Sequence, residues 1–263
     1  MVRGLDLFRE PLQGFRWTDR YVLIGGTACD LIMSEVGLQF RATKDLDIVL
    51  CIESVDPEFA RAFWAFVKAG QYEIQETAEG KPRFYRFQKP ADGNYPTMLE
   101  LFSPVPEALS VAEGSHLTPI PVNDEISSLS AIVLDADYYG WVQSGKREVE
   151  GLPIVGPEHL VPLKAKAWLD LRARKESGEE VDSRSIKKHR NDVIRLFQVI
   201  DPDSEIDPPR RIVDDMRSFL EQLPQENVDL GSLGLKSITL DTVLGSLRKL
   251  YRVDLGQPGE SGS

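Results

Sequence analysis

The chain has 263 residues, 41% of them hydrophobic and 28% charged, with glycine and proline scattered along its length. That is enough sequence to bury a sizeable core, in one large domain or two modest ones, and the composition is that of a globular protein. A net charge of −11 argues against nucleic acid bound over the whole surface, and no apolar run reaches the ~20 residues that span a bilayer.

The two cysteines, Cys29 and Cys51, fit no metal spacing and make no disulfide framework, so buried, inert thiols are expected. The N-terminal stretch MVRGLDLFREPLQGFRW carries charges where a signal peptide needs an apolar segment, and a cytoplasmic protein is expected.

In the first half, strand and helix alternate. YVLI (Tyr21–Ile24) is short and apolar like a buried strand, and it stops at Gly25 and Gly26. A helix is expected next, with Ala28, Leu31, Ile32 and Val36 at helical spacing and Gly37 as its stop. DLDIVLCI is a second strand. The helix after it has Asp56 as N-cap, Pro57 at the first helical position, Phe59, Phe63, Phe66 and Val67 on one core face, and Gly70 at its end. KPRFYRFQK and PTMLELFS pair around the turn residues ADGN. From 105 to 156 the pattern weakens: short strands are expected at 118–122, 131–134 and Leu152–Val155, with a turn or short helix at 138–141. The aromatic residues Tyr138, Tyr139 and Trp141 belong to the core more readily than to a base-stacking platform.

From Pro157 onward the pattern is helical, at about 157–175, 185–200 and 212–223, with a last helix carrying Val243, Leu244, Leu247 and Leu250. This order predicts an α/β (α+β) fold: a mixed sheet with flanking helices over 1–156, a helical bundle over 157–254, and a disordered tail at 255–263.

The chemistry concentrates at Asp45 and Asp47. Residues two apart in a strand point to one face, so the carboxylates lie side by side while Leu46, Ile48 and Leu50 face a packed helix. Two such charges repel unless a cation lies between them, and Mg²⁺ takes oxygen ligands of this kind. Glu100, in MLELF, adds a third acid on a strand; beside DLDIVL it would complete a two-metal phosphoryl-transfer site. Gly25, Gly26 and Thr27, between strand and helix, let backbone approach a phosphate at a helix N-terminus. Any tight strand-to-helix turn can also use a glycine pair.

In the helical half, Leu160, Leu163, Ala167 and Leu171 form an apolar stripe, with Lys164 at its edge and Lys166 facing away. An inward lysine needs an anion, either a triphosphate or nothing more than a snorkelling position. Lys188 and Asp192, four apart on one helix face, are open to two readings: a solvated ion pair, or a late acid beside a nucleotide contact. His189 is expected to pack or cap. Basic residues gather between 164 and 190, and Lys187, Lys188 and Arg190 form a candidate cationic edge, against the alternative of an ordinary charged helix surface.

Taken together, YVLIGGTACD, RATKDLDIVL and the strand acid Glu100 resemble the nucleotidyltransferase signature of the polymerase-β superfamily, closest to the AbiEii-type abortive-infection toxins, which combine GGTA with R-x-T-x-D-x-D. The resemblance covers 21–50 and includes Arg41 and Thr43; Glu100 is matched by position only, and the helical half through two elements, PEHLVPLKAKAWLDL and IKKHRNDVIRLF. It implies Asp45, Asp47 and Glu100 as metal ligands for two Mg²⁺ ions. It implies Gly25, Gly26, Thr27, Arg41, Lys164 and Lys188 as nucleotide-binding residues, and Asp192 as a further acid. The implied activity is transfer of NMP from an NTP to RNA or tRNA, at a site between the two halves, in a toxin with a cognate antitoxin. A small hydroxylated acceptor, as in antibiotic-modifying relatives, and a nucleotide-binding module without turnover remain as alternatives.

Overall fold

The computed structural model describes residues 3–12, 17–51, 53–54, 56–74, 84–102, 132–133 and 135–253. The chain divides into two compact units, Met1–Gly156 and Pro157–Ser263. Among the described residues, no helix is long and apolar enough to cross a membrane.

The first unit is α/β, built on a mixed sheet of seven described strands. They are β1 (Tyr21–Ile24), β2 (Asp45–Leu50), β3 (Glu73–Ile74), β4 (Phe84–Gln88), β5 (Met98–Phe102), β6 (Lys146–Val149) and β7 (Leu152–Val155), in the order β3-β4-β5-β2-β1-β7-β6. β1 runs antiparallel to β2 and parallel to β7, while β2 is parallel to β5. The helices are α1 (Leu5–Leu12), α2 (Gly25–Glu35), α3 (Pro57–Ala69) and α4 (Ala136–Ser144).

Register explains the two faces of the sheet. Phe87 lies opposite Leu99, and Leu99 opposite Leu46. α3 covers this apolar row, with Phe63 and Trp64 edge-on to Phe87 at 5.9 and 5.7 Å. One residue along each strand, the row is Arg86, Glu100 and Asp47, and alternation turns it to the other face. α3 starts as its sequence predicts: the Asp56 carboxylate accepts from the amides of Glu58 and Phe59, with Pro57 at the first turn.

Two expectations need correction, and two fall outside the described residues. α2 ends at Glu35, and Val36 is 58% exposed because it lies past the helix. Ile132 and Val133 are helical and buried instead of part of a strand at 131–134. The short helix expected at 138–141 is present as part of the nine-residue α4, capped by Asp135, with Tyr138 and Trp141 buried. The expected strand at 118–122 and tail at 255–263 lie outside the described residues.

Both thiols are buried. Cys51 donates to Gln143 Oε1 at 3.1 Å and accepts from Lys146 Nζ at 3.2 Å, and burial pushes its thiol up.

The second unit is helical: α5 (Pro157–Glu176), α6 (Ser183–Phe197), α7 (Arg210–Gln222) and α8 (Leu240–Leu250). α5 packs against α6 and α7. Trp168 of α5 meets Phe219 of α7 edge-on at 5.2 Å, and Ile212, Met216 and Leu220 complete the buried face of α7.

Candidate active site

The sequence candidates fall into two groups, one in each unit. In the α/β unit, pairing of β1 with β2 sets Ile24 opposite Asp47, so the glycine turn that follows β1 arrives beside that acid. Gly25 has a φ of +67°, and a Cβ there would overlap the Asp47 carboxylate, lying 2.6 Å from Cγ. At Gly26 a Cβ would come within 2.5 Å of Thr43 Oγ1 and 3.5 Å of Arg41 Nη2. The two glycines thus bring bare backbone against Asp47, Thr43 and Arg41, the residues of the R-x-T-x-D-x-D stretch. The same turn opens α2, whose first turn receives no side-chain cap.

Arg41 is half-buried, and its guanidinium lies over the Phe40 ring at 5.1 Å from the centroid. Thr27 has a different task from the one its motif suggests. Its hydroxyl is buried and donates to the Asp45 carbonyl at 2.8 Å, which ties α2 to β2 and leaves no hydroxyl proton for a phosphate.

Asp45 is half-buried and Asp47 buried, on the same face of β2. Parallel pairing places Glu100 directly opposite Asp47. Sequence reasoning missed what lies on the far side of Glu100. Arg86, its antiparallel partner on β4, donates from Nε at 3.0 Å and from Nη2 at 2.7 Å, both to Glu100 Oε1. Glu100 is only 1% exposed, so this is a buried ion pair. Among the described residues, no group of three or more His, Cys, Asp and Glu is arranged to hold a metal ion.

The fit to magnesium therefore rests on two acids. Asp45 and Asp47 offer oxygen donors from one strand face, and Mg²⁺ is commonly held by one or two carboxylates with water and substrate phosphates filling the rest. Those two fit it; Glu100 lies opposite Asp47 with one of its oxygens, Oε1, bonded twice by Arg86. The only sequence signal for Arg86 is a lone cation among aromatics in FYRFQ.

In the helical unit, Lys164 is 1% exposed and its ammonium lies 3.5 Å from Asp192 Oδ2, itself fully buried. The inward lysine has its anion, and it is Asp192. Asp192 is fully buried, so its side chain is not half of a solvated surface pair; Lys188 is exposed. Lys166 is half-buried and pairs with Asp170 one turn on. His189 is buried, and so is Arg190. Arg190 bonds Glu226 Oε2 at 2.9 Å and the Asn191 side chain, which removes it from the expected cationic edge. Lys187 and Lys188 remain exposed.

No protein-family model matches the chain, and no curated protein does. Among solved structures, it is similar to an antigenic nucleotidyltransferase-like protein from Paracoccidioides brasiliensis. That alignment covers 85% of this chain and 87% of the other at 14% identity, with a TM-score of 0.36. A likeness at that level does not decide a family.

Proposed function

We propose that this chain is a Mg²⁺-dependent nucleotidyltransferase that moves a nucleoside monophosphate from an NTP to an acceptor hydroxyl on RNA, as a toxin of a toxin–antitoxin or phage-defence pair. The observation that carries the reading is the meeting of the glycine turn with Asp47, where a Cβ on Gly25 would strike the carboxylate. A phosphate chain lying along that turn would be beside the aspartates of β2.

Each residue then has a task. Asp45 and Asp47 hold the ion. Gly25 and Gly26 give backbone approach at the α2 N-terminus, and Arg41 adds a cation beside Gly26. In the helical unit, Asp192 holds the Lys164 ammonium in the interior. When bound, Mg²⁺ supplies the positive charge that offsets phosphate and leaving group. The acceptor oxygen attacks the α-phosphorus in line and its proton passes to solvent. The bond to the bridging oxygen breaks, and pyrophosphate leaves with the electron pair.

A small hydroxylated acceptor is the second reading. Burial of Arg190 favours it, since the basic edge available to RNA shrinks to exposed residues such as Lys187 and Lys188.

Incubation with each α-labelled NTP, Mg²⁺ and total RNA tests the proposal. Labelled RNA is expected from the wild type and none from Asp47→Asn. The transferase reading fails if no NTP labels any acceptor or if Asp47→Asn keeps the full rate. Labelling of an aminoglycoside with RNA left blank replaces only the acceptor.

A further inference from the structure

We infer that Arg86 is the built-in cation of the acidic row: it takes Glu100 out of the metal-ligand set, so that the protein's carboxylates hold one divalent cation, on Asp45 and Asp47, instead of two. The inference rests on the nucleotidyltransferase reading and changes what that reading asks of its third acid.

Register puts Arg86, Glu100 and Asp47 in one line across β4, β5 and β2, so their side chains share a face. Arg86 spends both Nε and Nη2 on a single oxygen, Glu100 Oε1, and the pair's side chains are 10% and 2% exposed. Both of Arg86's bonds go to Oε1, and an ion held through Oε2 would sit beside that guanidinium, two cations sharing one buried carboxylate and repelling each other. Charge points the same way. One arginine and three acids (Arg86, Glu100, Asp47 and Asp45) sum to −2, which a single divalent cation neutralises; a second would leave the row at +2. In this role Arg86 is a positioning residue, acting through Glu100.

Mn²⁺ is the probe, titrated into the full chain without nucleotide and followed by calorimetry and by its electron-spin resonance. One bound ion is expected. Asp47→Asn should weaken it by more than the roughly 10- to 100-fold that loss of an outer-shell partner costs. Glu100→Gln, whose amide oxygen still accepts from Arg86, should keep the one ion and weaken it less than Asp47→Asn does, since it removes a charge from the row but no ligand. A substitution at Arg86 itself risks the fold, so the contrast between Asp47→Asn and Glu100→Gln decides, with melting curves confirming that both are folded. Two wild-type ions of which Glu100→Gln loses one, or a Glu100→Gln loss equal to that of Asp47→Asn, overturns the inference and leaves the transferase reading standing. A wild type that binds no Mn²⁺ brings both down.

Discussion

Gly25→Ala is the sharpest perturbation the structure offers, because two separate costs fall on one methyl group. The first is conformational. At φ +67° the backbone is left-handed, which costs an L-residue about 1–2 kcal/mol. The second is steric: the new Cβ would overlap the Asp47 carboxylate and sit 3.0 Å from Asp47 Cβ, so the acid's side chain must move. Overpacking of this kind costs about 1–3 kcal/mol. The sum is about 2–5 kcal/mol of stability. Gly26→Ala is the internal control. Its φ is not left-handed and its Cβ meets the Thr43 hydroxyl at 2.5 Å, the end of a side chain that can turn, so only the packing cost applies. Urea unfolding of the full chain, followed by tryptophan fluorescence, measures both. Mn²⁺ binding adds a readout specific to the site: Gly25→Ala should weaken it because Asp47 is displaced, while Gly26→Ala should change it less. A Gly25→Ala protein within about 0.5 kcal/mol of the wild type, the usual range of an inert surface change, would refute the argument. So would a Gly26→Ala protein that is the less stable of the two.

Two further predictions come from the helical unit. Lys164→Met keeps most of the side chain's length but strands Asp192 in the interior, and breaking a buried pair of this kind costs about 3–5 kcal/mol. Adding Asp192→Asn should recover much of that loss in urea unfolding, whereas Lys166→Ala, at a pair only part-buried, should cost clearly less; equal losses at 164 and 166 would count against the buried pair. Burial lowers His159 from 6.5 to about 4, so between those values the unfolded chain takes up a proton that the folded chain does not. Its contribution is therefore full above 6.5 and is lost as pH falls towards 4. The drop in melting temperature from pH 7 to pH 5 should be smaller in His159→Gln than in the wild type, and an unchanged drop would refute it.

What was legible in the sequence follows from how far each interaction reaches along the chain. The cap of α3 was legible because Asp56, Pro57 and the amides of Glu58 and Phe59 lie within four residues. The shared face of Asp45 and Asp47, with Leu46 and Ile48 turned the other way, was legible because strand periodicity is local. The hairpin of β6 and β7 escaped notice although it too is local. KREV is polar, and Glu150 sits where a left-handed turn usually places Asn, Asp or Gly, with φ of 50° before Gly151 at 77°.

Long-range pairs resist the same reading for a different reason. Asp192 has Lys188 one helical turn away, and spacing alone suggests that partner. Packing of α5 on α6 brings in Lys164, an interior cation 3.5 Å from the buried Asp192 that spacing along one helix does not reveal. Arg190 looked like part of a basic surface because charge pattern is read along one helix, whereas Glu226, 36 residues on, closes over it. Arg86 is the extreme case. Nothing within FYRFQ says which face the arginine takes or which acid it meets; only the register of β4 on β5 puts it across from Glu100, and the register of β5 on β2 puts that acid across from Asp47. Three residues spread from 47 to 100 become neighbours through two strand pairings. A motif spanning 21–50 can therefore name the aspartates, but it carries no information on whether the third acid is available to a metal.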